Sequence, residues 1–82
     1  MNDTFDEVRD AIADVTGEEQ AEPGDSLVAK LFFDDLDFLD LVVNLEDRFG
    51  IEIPDSEWGT IDSNQEATVQ DVVNLVTKLK GA

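Results

Sequence analysis

The apolar positions of this chain fall into three helical stripes separated by polar stretches rich in helix breakers. Phe5, Val8, Ile12 and Val15 recur at intervals of three and four, the repeat that lines one face of an α-helix. Thr4 with Glu7 three residues later reads as a capping box, and Gly17 as the stop. The repeat returns from Leu36 to Phe49, with Gly50 and Pro54 beyond it as stop signals. At about 100° per residue, Phe38, Leu41, Val42, Leu45 and Phe49 share one broad, core-like face. The third stripe is Val69, Val72, Val73, Val76 and Leu79. Thr68 suits its N-cap, Asp71 falls in its first turn, and Lys78 and Lys80 lie near its negative end.

The stretches between the stripes are less regular. From Gly17 to about Phe33 the spacing predicts a long loop turned at Pro23-Gly24. Leu27, Val28 and Leu31 are expected to pin it to the core, because a loop of this length is rare in a small domain without anchors. Ile51 and Ile53 alternate around Glu52 in a short extended piece with no second strand to pair with, so no sheet is expected. Asp55 to Gly59 reads as a single helical turn with Trp58 as a lid over one end of the core, and residues 59–66 as loop. The pattern predicts an all-α fold: a small four-helix bundle of three main helices and one short one, with a long first loop, forming one domain over residues 1–82.

The central helix has more apolar surface than one core face uses. Leu36, Leu39 and Val43 form a second strip, with Glu46 along one border and Asp40 and Asp47 along the other. Such a strip packs under a loop or another helix, or it docks a partner, with apolar contact for holding and carboxylates to select basic surfaces.

Composition narrows the classes of function. Twenty-one Asp and Glu against five Lys and Arg give a net charge of −16, which repels nucleic acid and anionic membranes and speeds encounter with basic proteins. With 41% hydrophobic residues there is enough apolar material for a small core. Histidine and cysteine are both absent, which removes the commonest general base, the usual triads, thiol nucleophiles, thiolate metal sites and disulfides. Asp34, Asp35, Asp37 and Asp40 do not match a calcium loop, which needs a glycine at its sixth position and a terminal Glu. The helix dipole explains acids at a helix start more economically, and no metal is expected. The acidic N-terminus is unlike a signal peptide, and no apolar run approaches the length of a membrane span, so a cytoplasmic protein is expected. A binding or carrier module is the better class than an enzyme.

The segment Leu31-Phe-Phe-Asp-Asp-Leu-Asp-Phe-Leu-Asp-Leu-Val-Val-Asn-Leu-Glu-Asp-Arg-Phe-Gly-Ile-Glu-Ile-Pro54 resembles the core of the acyl carrier proteins. That family shows Leu-Gly-x-Asp-Ser-Leu-Asp, then an acidic and apolar helix ending Leu-Glu-x-x-Phe, then Ile-x-Ile-Pro. Asp25-Ser-Leu in the first loop and Thr68-Val-x-Asp71 extend the similarity over nearly the whole chain. The resemblance implies a four-helix bundle that carries acyl or aminoacyl groups as thioesters on phosphopantetheine. It also implies a monomer whose partners are synthases, transferases and a phosphopantetheinyl transferase, presenting basic surfaces to the second helix. By resemblance, Asp35 holds the position of the attachment serine, and Asp34, Leu36, Asp37, Leu39, Asp40, Val43, Glu46 and Asp47 form the partner surface.

Asp35 is the decisive departure, because a carboxylate cannot form the phosphodiester. No cofactor is expected on the chain as written; 4'-phosphopantetheine is expected if Asp35 were serine. Either a serine was replaced by design, or the chain is a natural degenerate carrier that keeps the docking surface as an interaction or regulatory module. Ser26 spells the short Asp-Ser-Leu motif, but Val-Ala-Lys-Leu follows it in place of an acidic helix. Phe32 stands where the family has Gly. The segment from Pro54 to Thr68 is longer than in fatty-acid carriers, and Trp58-Gly59 is somewhat similar to the Phe-Gly of D-alanyl carriers, which leaves fatty-acid, secondary-metabolite and aminoacyl pathways open.

Overall fold

Four helices form in the computed structural model, which describes residues 3–81, so that Met1, Asn2 and Ala82 of the expected domain lie outside the described residues. They are α1 (Thr4–Thr16), α2 (Asp35–Phe49), α3 (Asp55–Asp62) and α4 (Val69–Lys80). The first helix starts one residue away from the expected cap: Asp3 is the N-cap, its Oδ1 accepting the N–H of Asp6 at 2.8 Å, and Thr4 is already helical. A carboxylate serves that place better than a hydroxyl because it also neutralises the positive end of the dipole. Helix α1 ends at Gly17, whose φ of 82° is left-handed, and its N–H returns to the carbonyl of Ala13. Thr68 and Asp71 form the expected reciprocal capping box on α4.

Helix α3 is the main correction. It runs two turns to Asp62 rather than one turn to Gly59, so the first part of the expected 59–66 loop is helical. Trp58 and Ile61, three residues apart, are its two buried side chains, too few to outweigh the glycine between them when the sequence is read alone. Tertiary burial of this pair stabilises the second turn despite the low propensity of Gly59.

Helix α1 packs on α2 and α4, and α3 lies against α2 and α4. The fully buried side chains Val8, Ile12, Leu27, Leu41, Leu45, Val69, Val72 and Val76 come from three helices and the long loop. Each contributes roughly 1.5–3 kcal/mol by leaving water. On α4 the sequence reading missed Leu75, which is buried, while Leu79 is only partly covered. The long loop is held as expected, with Leu27 and Leu31 buried and Val28 packed on the core. It is also tied by backbone. Among the described residues the sole strand-like pairing is an antiparallel bridge of Ser26 with Thr68, with Leu27 N–H to Ala67 O at 3.0 Å and Val69 N–H to Asp25 O at 3.1 Å. The loop thereby supplies acceptors to the start of α4, where the first N–H groups of a helix have no internal partner.

Candidate functional site

The start of α2 is set by its own acids. Asp34 is the N-cap: its Oδ1 accepts the N–H of Asp37 at 2.9 Å, while Oδ2 of Asp37 accepts the N–H of Asp34 at 3.2 Å. Two of the eight residues expected in the partner surface are thus also the device that begins the helix. Asp35 follows as the first helical residue and is exposed.

Beyond this cap the helix divides as its periodicity predicts. Phe38, Leu41 and Leu45 are buried, with Val42 and Phe49 partly covered. Leu36, Leu39 and Val43 are 70%, 58% and 52% exposed. The loop-or-helix alternative for this strip is not what the fold adopts, since none of the other described residues covers it. Asp40 and Asp47 are exposed beside it. Glu46, on the other border, is half-buried, and its Oε2 accepts the N–H of Ile53 at 2.8 Å. An apolar strip left open to water beside carboxylates is a surface suited to binding a protein with apolar and basic groups.

Phe32, in the loop that leads into α2, is a further exposed apolar side chain and was not among the expected partner residues. It is 80% exposed, between the buried Leu31 and Phe33. Its φ of 60° makes it the only left-handed non-glycine residue among those described. A bulky side chain in that region costs roughly 1–2 kcal/mol. The sequence signal lay in Phe32 standing where the resembled family has Gly; its exposure depended on how the loop closes onto Leu27, whose carbonyl accepts the N–H of Phe33 at 2.9 Å.

Between α2 and α3 lies a groove of about 370 Å³. Phe38, Leu39, Val42 and Trp58 supply its apolar lining, and Asp35, Asp55 and Asp62 its carboxylates. Trp58 meets Phe38 edge-on, with ring centroids 6.4 Å apart, and Phe38 meets Phe33 at 5.1 Å. Position 35 therefore stands where an open apolar groove meets the exposed strip. A larger, polar depression of about 530 Å³ on the other flank of α2 holds Asp14 and Arg48. Those two form an ion pair between α1 and α2, and hydrogen bonds from Arg48 and then Asn44 hold the Asp14 carboxyl below the usual aspartate range.

Ser26 occupies a different setting. Its Oγ accepts the N–H of Ala29 at 3.0 Å and its carbonyl accepts from Lys30 and Leu31, so it organises a turn in the first loop, with no acidic helix after it.

Comparison with known proteins places these features in a family. Residues 6–76 match the family described as "Phosphopantetheine attachment site". An acyl carrier protein of Campylobacter concisus (strain 13826) is 38% identical over 77 residues, covering 92% of this chain and 94% of that protein. The acyl carrier protein AcpXL of Rhizobium etli is 31% identical over 90 residues, covering all of this chain and 98% of that protein. An acyl carrier protein of Chloroherpeton thalassium is 31% identical over 83 residues, covering 94% and 98%.

Proposed function

The chain belongs to the acyl carrier protein family, whose members are carriers rather than enzymes and bear phosphopantetheine, and on that premise we propose that it is a single-domain carrier disabled at residue 35. Its parent function is presentation of a thioester-linked acyl group to biosynthetic enzymes of a fatty-acid or related secondary-metabolite pathway. Asp35 stands at the attachment position, one residue after the capping Asp34. The side chains there do not fit the prosthetic group. Asp34, Asp35, Leu36 and Asp37 offer no hydroxyl, and an aspartate carboxylate has no O–H that a phosphoryl transfer could convert into a stable phosphodiester. No step of carrier chemistry is therefore assigned to the chain as it stands.

The remaining function is recognition. The exposed strip of Leu36, Leu39 and Val43, beside Asp40 and Asp47, is the observation on which this reading rests. Synthases, transferases and phosphopantetheinyl transferase would present basic groups around an apolar centre to it, and the net charge of −16 would speed their encounter and keep copies of the chain apart as monomers. Among the described residues no helix is long and apolar enough to cross a membrane, and a cytoplasmic location fits this role.

The test is the intact mass of the chain and of its Asp35→Ser variant after incubation with coenzyme A and a broad-specificity phosphopantetheinyl transferase. The arm is expected on the substituted chain alone. If neither chain gains it, the scaffold is an interaction module and the carrier assignment falls; labelling of the unsubstituted chain would move the site to Ser26.

A further inference from the structure

Phe32 serves no purpose inside the molecule that glycine would not serve better. Its φ of 60° is a conformation glycine adopts without strain, its side chain is 80% exposed, and its neighbours Leu31 and Phe33 already fill the core beneath it. The chain thus holds an aromatic side chain in water, in a strained backbone, three residues before Asp35. Strain of this kind persists where the surroundings enforce it and concentrates at ligand-binding positions.

We propose that Phe32 is the aromatic anchor of the docking surface, seated on binding in an apolar recess of a partner enzyme whose rim carries Lys and Arg. This rests on the docking reading of α2 given above. The charge points to a protein of that kind. Asp34, Asp35, Asp37 and Asp40 follow Phe32 within eight residues, so a second copy of this chain or an anionic membrane would meet repulsion, whereas a basic rim would be attracted. Phe32, Leu36 and Leu39 are exposed apolar side chains within eight residues of one another along the chain, and large apolar side chains that become fully desolvated in a contact are where binding energy concentrates. Any enzyme that closes over residue 35 must also cover, or be obstructed by, Phe32.

The signature is a gain of stability joined to a loss of recognition. The Asp35→Ser chain would be compared with versions that also bear Phe32→Gly, Phe32→Leu or Asp40→Lys. The probe is the same broad-specificity phosphopantetheinyl transferase with coenzyme A, followed by product mass over time and by thermal melting. Phe32→Gly is expected to raise Tm by about 2–5 °C and to raise KM about tenfold with kcat little changed. Phe32→Leu should recover most of the KM. An unchanged or lower KM for Phe32→Gly overturns the anchor, as does a Tm that does not rise. Those failures leave the Asp35→Ser chain labelled and Asp40→Lys impaired. Failure of the docking reading shows instead as Asp40→Lys labelled normally, or as no labelling of Asp35→Ser, and the anchor falls with it.

Discussion

Glu46 Oε2 accepts the backbone N–H of Ile53 at 2.8 Å, joining the last turns of α2 to the extended piece that leads into α3. The same acid borders the exposed strip. Its carboxylate satisfies a partly buried donor that would otherwise be left without its bond, so its charge cannot be reversed without a structural cost.

Glu46→Lys is therefore expected to destabilise the fold by about 1–3 kcal/mol, which for a domain of this size lowers Tm by roughly 4–8 °C per kcal/mol. Glu46→Gln retains a carbonyl acceptor and should melt close to the parent. Asp40→Lys replaces a negative charge by a positive one on a strongly negative surface and should melt at or above the parent. Thermal melts by circular dichroism separate the three, and Asp40→Lys is then the clean substitution for a docking assay. Equal melting of Glu46→Lys and the parent would mean the Ile53 bond contributes nothing.

Trp58 is 6% exposed and stacks edge-on against Phe38 from a helix with only one other buried side chain, Ile61. Trp58→Ala should cost about 3–5 kcal/mol, a large part of the stability expected for a domain this small. The expected result is loss of a cooperative melt at 37 °C or a sharply lowered Tm, with Trp58→Phe much milder. A cooperative melt near the parent Tm for Trp58→Ala would show that α3 does not close the core.

The Asp14–Arg48 pair gives a pH dependence of fixed sign. The folded-state pKa of Asp14 is depressed, first by the hydrogen bond from Arg48 and then by that from Asn44. Its contribution is therefore fully present above the unfolded aspartate value of about 3.9 and is lost as pH falls through the lower folded value. The difference in Tm between the parent and Asp14→Asn should be constant from neutral pH to about 5 and shrink below about 4. A difference that grows on acidification would contradict the assignment.

Self-repulsion from a net charge of −16 should make stability depend on salt. Raising NaCl from about 0.01 M to 0.5 M shortens the screening length well below the size of the molecule, which extends 30 Å, and is expected to raise Tm. Screening also weakens the three ion pairs found among the described residues, but exposed pairs of this kind contribute little. A Tm independent of ionic strength would show that the acids are too dispersed to oppose folding.

Much of this fold is local, and the local part was legible in the residues. Helical stripes at Phe5 to Val15, Leu36 to Phe49 and Val69 to Leu79 fix which faces are apolar. Gly17, Gly50 and the Thr68–Asp71 box fix where helices end and begin, through backbone geometry that needs no distant partner. The unused strip on α2 and the place of Asp35 at the head of that helix were readable for the same reason.

Tertiary structure decided everything that depends on which segment lies over which. The second turn of α3 exists because Trp58 and Ile61 find a core to enter, against the preference of Gly59. The long loop is bound to Thr68 by backbone bonds that carry no side-chain pattern. Glu46 became a ligand for Ile53 N–H, and Phe32 was turned out to water while Leu31 and Phe33 turned in. Periodicity specifies a face but not its neighbour, because burial is a property of two surfaces meeting, and only the packed chain brings both together.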